Sequence, residues 1–123
     1  MELIFKLKPT YTLVPEYINK GKGKNKQNVL NRIRFKFSFH NSISVNGTIS
    51  KKDIDALKLY NIDPYGSIVS SIISELIIQT NQLFDTNLTH DDFREFYEDN
   101  MDIFKKFIND LMSFEDELNY GKN

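Results

Sequence analysis

The sequence lacks cysteine, has only two histidines, and contains no apolar run near the roughly 18 residues that a membrane span requires. The absence of cysteine excludes disulfides and thiolate chemistry, which argues against a small secreted scaffold and favours a reducing cytoplasm. The N-terminal stretch carries Glu2, Lys6 and Lys8, so it lacks the uninterrupted apolar core of a signal peptide. These absences predict a cytoplasmic protein with no membrane partner.

Motifs for catalysis and nucleotide binding are also absent. HExxH, GxSxG and SxxK do not occur, and a Walker loop begun at either glycine of NKGKGKNKQN would need glycine where Lys26 or Asn28 stands. We therefore expect no catalytic residue, no metal, no cofactor and no small-molecule substrate. An enzyme built on His40, His90 or carboxylates would need distant residues to converge in one pocket.

One segment partly matches a calcium-binding loop. In DTNLTHDDFREF, the residues at the first, third and fifth positions from Asp85 suit calcium, but His90 replaces the turn glycine and Phe96 replaces the bidentate glutamate. Helix capping explains the segment better, with Thr89 as the N-cap and two aspartates in the first turn.

Length and patterning predict one α+β domain over residues 1–123. The composition, 40% hydrophobic and 27% charged, is that of a globular protein. LIFKL and NRIRFKFSFH alternate with period two, Asn46-Gly47 suits a tight hairpin, and TYTLV between Pro9 and Pro15 reads as an edge strand or irregular return. These features predict a small antiparallel sheet over about residues 1–49, with a flexible basic loop at 19–28.

Helical patterns follow from about residue 50 to 119. Ser50 is a predicted N-cap, and SIVSSIISELIIQTNQLF places its apolar residues and its serines on opposite faces. A further apolar stripe runs from Phe93 to Leu118, and Asn100 either breaks it into two helices or lies inside one. Three to four helices should therefore cover one face of the sheet.

Charge is divided between the two halves of the chain. Residues 1–60 hold twelve Lys/Arg against four Asp/Glu, and residues 61–123 hold four against thirteen. If the strand bearing Lys6 and Lys8 pairs beside NRIRFKFSFH, up to nine basic side chains share one surface. The predicted basic contact surface is Lys6, Lys8, Lys20, Lys22, Lys24, Lys26, Arg32, Arg34 and Lys36.

The predicted acidic contact surface lies on the last helical region and consists of Asp91, Glu95, Glu98 and Asp102, at helical spacings along one side. Asp110, Glu115, Asp116 and Glu117 would extend it. In a two-layer fold the basic and acidic surfaces point outward on opposite sides. Head-to-tail self-association, weakened by salt, is therefore one hypothesis.

The segment LFDTNLTHDDFREFYEDNMDIFKKFINDLM resembles the helical end of phage tail assembly chaperones, which carry a similar loop, threonine and acid-aromatic helix start. The resemblance covers about a quarter of the chain. The strands and the lysine loop do not fit that family, so no residue role is carried over. Small size and the absence of catalytic motifs also suit phage or mobile-element inhibitors and immunity proteins.

The leading functional interpretation is a non-enzymatic interaction protein that docks on a macromolecule by charge complementarity, with a protein partner favoured over nucleic acid. Nucleic-acid binding through the basic surface is the alternative. The phenylalanines of NRIRFKFSFH alternate with the basic residues and must fill the core. They are therefore not available to stack on bases.

Overall fold

The computed structural model describes residues 6, 8–21 and 27–118 of the chain. Its first half is an antiparallel sheet and its second half is helical, which confirms the predicted α+β class. The strands are β1 (Thr10–Lys20), β2 (Gln27–His40), β3 (Ile43–Ser50) and β4 (Glu117–Leu118). The helices are α1 (Lys51–Leu59), α2 (Tyr65–Phe84), α3 (Arg94–Asp99) and α4 (Met101–Leu111), with a 3₁₀ turn at His90–Phe93.

β2 is the central strand. It pairs antiparallel with β1 on one edge and with β3 on the other, and the short β4 pairs with its first two residues. The alternation predicted for NRIRFKFSFH is confirmed, because Ile33 and Phe37 are buried while Arg32, Arg34 and Lys36 are exposed. Successive side chains of β2 therefore point alternately into the core and towards solvent.

A β-bulge in β2 brings Leu30 into the core. The register with β1 skips Asn31, so Leu30 and Arg32 lie opposite the consecutive residues 17 and 16. Strict alternation from Arg32 would turn Leu30 towards solvent, whereas it is only 1% exposed. Asp116 holds the bulge, since its Oδ1 accepts a hydrogen bond of 2.7 Å from the Leu30 backbone N–H.

Phe37 lies at the centre of the aromatic core between the sheet and α4. Its ring stacks on Phe104 with centroids 4.9 Å apart and an interplanar angle of 6°. It also meets Phe107 edge-on at 5.1 Å and stacks on Tyr11 at 5.8 Å. Such aromatic pairs contribute about 0.5–1.5 kcal/mol beyond the area that they bury.

α2 confirms the helix predicted from its opposed apolar and serine faces, and it begins two residues earlier, at Tyr65. Ile72 and Leu76 are buried, whereas Ser71 is exposed. The helix lies along β3, where the Gln79 Nε2 donates a hydrogen bond of 2.8 Å to the backbone carbonyl of residue 44. Of the helices in the described part of the chain, none is long and apolar enough to cross a bilayer.

Asn100 divides the last helical region into α3 and α4, which answers the question that the sequence left open. Its φ of −115° and ψ of 15° are not helical, and its buried side chain donates a hydrogen bond of 2.8 Å to the Phe96 carbonyl at the end of α3. The predicted start at Thr89 is confirmed. Its backbone N–H donates to Asp92 Oδ2 at 2.8 Å in a capping box.

The predicted hairpin at Asn46-Gly47 is wrong. Both residues lie within β3, opposite Lys36 and Phe35, and the chain turns at residues 41–42 instead. Gly47 does not have a positive φ. It is required for packing, because a Cβ at this position would overlap the Phe35 ring, which lies across the glycine.

β1 confirms that TYTLV belongs to an edge strand, and the strand continues through Pro15 to Lys20. A ladder accommodates Pro15 only where its nitrogen faces away from the neighbouring strand. The strand predicted over residues 3–7 lies outside the described residues apart from Lys6, where the prediction is wrong because Lys6 is helical. Its expected place beside β2 is corrected, because β1 and β3 occupy both edges of β2 from Arg32 to Ser38.

Gly47→Ala is expected to lower the free energy of unfolding by about 1–3 kcal/mol. The added methyl group must displace the Phe35 ring, which packs edge-on against Phe107 with centroids 5.3 Å apart. Urea denaturation measures the change.

Gly66→Ala is the matched control for this substitution. A Cβ at Gly66 meets nothing within 4 Å, and Gly66 lies in the first turn of α2. The same substitution there should leave stability unchanged or raise it by up to about 1 kcal/mol. Equal effects at the two glycines would contradict the packing role of Gly47.

Candidate interaction surface

The helices cover one face of the sheet, and we call the other the outer face. It presents four rows of side chains from β1, β2 and β3. The rows are Glu16, Arg32 and Ser50; Val14, Arg34 and Thr48; Thr12, Lys36 and Asn46; and Thr10, Ser38 and Ser44. Arg32, Arg34 and Lys36 therefore stand in line along the central strand, and we call these three residues the basic row. Their neighbours on both sides are short and mostly polar.

The basic row is accessible to a large partner. The Arg32 and Arg34 side chains are 50% and 62% exposed, and Lys36 is also exposed. Residues two apart on a strand are separated by about 6–7 Å, so the row spans roughly 13 Å. Since the flanking side chains are shorter, the three cationic groups stand above the surface around them.

Glu16 modifies this row, although the residue pattern alone did not indicate its place there. Its carboxylate pairs with the Arg32 guanidinium and lies 3.9 Å from that of Arg34. Exposed ion pairs of this kind contribute about 0–1 kcal/mol, but the carboxylate orients the two arginines and offsets part of their charge. In the sequence, Glu16 directly follows Pro15 of the edge strand. Only the register between β1 and β2 shows that it lies opposite Arg32.

A cavity of about 520 Å³ opens at the end of the outer face near the turn between β2 and β3. Lys8, Lys36 and His40 line it, together with the hydroxyl-bearing residues Thr10, Ser38 and Ser44. The Ser42 backbone N–H donates a hydrogen bond of 3.2 Å to His40 Nδ1, so the neutral ring carries its proton on Nε2. The cavity is thus lined by two lysines, three hydroxyl-bearing residues and a histidine, which are residue types that bind anions.

The structure brings together only part of the predicted basic contact surface. Lys8 and Lys36 meet at the cavity, with Arg32 and Arg34 further along the same face. Lys20 is exposed at the far end of β1, about 33 Å from Thr10 by strand length. Lys6 is exposed, and Lys22, Lys24 and Lys26 lie outside the described residues.

All members of the predicted acidic contact surface are exposed on the helical layer. The helix that was to align them is divided, with Asp91 in the 3₁₀ turn, Glu95 and Glu98 in α3, and Asp102 in α4. Asp91 also forms an ion pair with Arg94 at 2.7 Å. These acids therefore lie on three short elements, in the layer that covers the opposite side of the sheet.

Two other acids, expected to extend the negative surface, turn towards the sheet instead. Asp116 holds the bulge in β2 at Leu30. Asp110 Oδ2 accepts a hydrogen bond of 2.6 Å from the Tyr11 hydroxyl, and the Lys106 ammonium lies 3.4 Å away. The Tyr11 hydrogen bond and the nearby ammonium lower the pKa of Asp110, while partial burial works in the opposite direction.

The surroundings of His90 do not assemble a catalytic triad within the described residues. Ser74 Oγ lies 3.2 Å from His90 Nε2, beside a cavity of about 360 Å³ between α2 and α3. The neighbouring carboxylates are bound elsewhere, because Asp91 pairs with Arg94 and Asp92 caps the 3₁₀ turn. A triad needs a carboxylate on the second imidazole nitrogen.

Metal binding finds no support in the described part of the chain, which contains no group of three or more His, Cys, Asp or Glu side chains placed to hold an ion. The segment compared with a calcium loop serves as a helix connection. Asp85 ends α2 in the left-handed conformation with φ of 53°, and Thr89 begins the next helical turn.

Comparisons with known proteins add no relative. No family model, curated protein or solved structure matches this chain. The resemblance of residues 83–112 to phage tail assembly chaperones gains no support from them. The chemistry of the described residues is therefore the basis for a function.

Tyr11→Phe should reduce stability most at neutral pH. The pKa of Asp110 is lower in the folded state than its ordinary 3.8, so its ionised form stabilises the fold above about pH 4, and that stability is lost as the pH falls through the lowered pKa. Removing the hydroxyl should lower the free energy of unfolding by about 1 kcal/mol at pH 7, and this difference from wild type should become smaller towards pH 2. Urea denaturation at a series of pH values measures both.

Tyr97→Phe is the matched control, because it also removes one tyrosine hydroxyl. The Tyr97 hydroxyl hydrogen-bonds the Tyr65 hydroxyl, which is neutral throughout this range, since the ordinary tyrosine pKa lies near 10 and burial and that hydrogen bond raise the pKa of Tyr65 further. The effect of Tyr97→Phe should therefore stay constant from pH 7 to pH 2. An acid dependence as large as that of Tyr11→Phe would contradict the role given to Asp110.

Proposed function

We propose that this chain is a non-enzymatic interaction protein that docks the outer face of its sheet on an acidic surface of a partner protein. The observation that supports the proposal is the exposed row of Arg32, Arg34 and Lys36 on the central strand, flanked by short, mostly polar side chains. An inhibitor, immunity protein or assembly factor would act through such a face.

The spacing of the row suits carboxylates carried by a helix. Neighbouring basic residues of the row are about 6–7 Å apart, and carboxylates four residues apart on a helix are about 5–6 Å apart at their Cβ atoms. Arginine adds planar, bidentate recognition of carboxylates, and Glu16 keeps the Arg32 guanidinium oriented before contact. The cavity beside Lys8 and Lys36 would receive a further anionic side chain at the edge of the same contact.

A protein partner fits the outer face better than nucleic acid does. Among the described residues, no aromatic side chain lies in the four rows of this face, so bases would find no stacking platform. The Glu16 carboxylate also lies beside the basic row, where it would repel a phosphate backbone. An acidic protein can place a neutral or basic side chain opposite Glu16.

Affinity purification from the native host, with nuclease treatment, tests the proposal. A double variant, Arg34→Glu with Lys36→Glu, should lose the captured protein, with affinity at least about tenfold weaker when the purified partner is titrated, because like charges then face each other. Wild-type affinity should fall with added salt.

The matched control is Lys52→Glu with Lys58→Glu. These two exposed lysines lie on α1, outside the four rows of the outer face, and the net charge changes by the same amount. Equal loss of binding in both double variants would contradict docking through the outer face. Capture that disappears with nuclease would assign the face to nucleic acid instead.

Self-association is tested by light scattering of the purified chain at low and high salt. A mass above the monomer at low salt, lost in the Arg34→Glu and Lys36→Glu variant, would identify a second copy as the acidic partner. In that case Glu95→Lys with Glu98→Lys should abolish the same complex, since these exposed acids lie on the helical layer.

A further inference from the structure

β3 has a second edge that carries hydrogen-bonding groups. β2 pairs with one edge of β3, and within the described residues no strand pairs with the other. The Gln79 amide donates to the Ser44 carbonyl, so the backbone groups of residue 44 point to the open side. Because these directions alternate along an antiparallel strand, Asn46 and Thr48 also direct their N–H and C=O groups outward.

A groove follows this edge between β3 and α2. Its volume is about 640 Å³, and the partly buried Ile68 from the helix and Ile49 from β3 contribute apolar surface. Ser67 and Ser71 stand one helical turn apart on the helix side, where their small size leaves the groove open. The groove thus combines an unpaired strand edge with apolar surface beside it.

We propose that β3 binds an extended peptide segment of a partner protein as an additional strand in this groove. The peptide backbone would pair with Asn46 and Thr48, and its alternate side chains would rest on Ile49 and Ile68. The side-chain amide of Gln79 already makes one such bond to the edge, at Ser44. This site uses backbone groups at the edge of β3, whereas the proposed contact of the basic row uses side chains on the outer face.

The charge of the groove selects the peptide. Glu75 is its one charged residue among those described, and its carboxylate accepts a hydrogen bond of 3.2 Å from Gln79 Nε2. A neutral or basic peptide is therefore favoured, and an acidic one is repelled. The two surfaces consequently take ligands of different charge, the outer face an acidic one and the β3 edge a neutral or basic one.

Selection from a random heptapeptide library displayed on phage tests the proposal. Peptides that bind should shift the backbone amide resonances of Asn46 and Thr48 and protect both from hydrogen exchange. N-methylation at alternate positions of a selected peptide should weaken binding about tenfold, and methylation at the intervening positions less than about twofold, since only alternate amides face β3. This scan leaves the protein unchanged.

Ser71→Trp should block the groove and abolish binding of the same peptides. The Ser71 hydroxyl bonds only to the Ser67 carbonyl of its own helix among the described contacts, so the substitution spares the core. Gln82→Trp, at an exposed position of α2 outside the groove, is the matched control and should bind as wild type does.

Several results would overturn the proposal. These are the selection of no peptide, peptides that shift the resonances of Arg34 and Lys36 but not those of Asn46 and Thr48, uniform effects of N-methylation, or a chain that dimerises with protection of Asn46 and Thr48. The last result would assign the edge to a second copy. The Arg34→Glu and Lys36→Glu variant should lose binding of the acidic partner and still bind the selected peptides. That result would show that the peptide site is separate from the proposed docking face.

Discussion

The packing of the Phe37 ring between β2 and α4 is the constraint on which the remaining structure depends. Because Phe37 must lie against Phe104 and Phe107, the odd-numbered residues of β2 from Ile33 onward face the helices. The even-numbered residues, which are basic, then face solvent. A slip of one residue would bury three cationic groups and expose the phenylalanines, so the aromatic core and the basic row enforce the same register.

Local periodicity made much of this fold predictable. The alternation in β2, the two-faced pattern of α2 and the N-cap at Thr89 depend on residues near each other in sequence, and the structure confirms all three. Other features depend on distant partners. Gly47 is explained by the Phe35 ring across the sheet rather than by a turn, and Asp116 serves a bulge 86 residues away.

The candidate site was predictable to a similar extent. The sequence placed Arg34 and Lys36 on one exposed side, since strand alternation alone decides this. It did not reveal Glu16 beside the arginines, because the register between β1 and β2 is set by the bulge at Asn31. Four of the nine predicted basic residues, Lys8, Arg32, Arg34 and Lys36, come together on the outer face. Of the others, Lys20 lies at the far end of β1, and Lys22, Lys24 and Lys26 lie outside the described residues.

Pro15 has a consequence for how copies of this chain can assemble. A sheet grows into an open-ended filament when each copy offers two compatible edges, one at either side. The β3 edge has its donors available at Asn46 and Thr48, but on the β1 edge Pro15 supplies no N–H where another strand would need one. Within the described residues, Pro15 therefore disfavours the addition of a strand at the β1 edge, and the growth of the sheet into a fibre from that side is disfavoured with it.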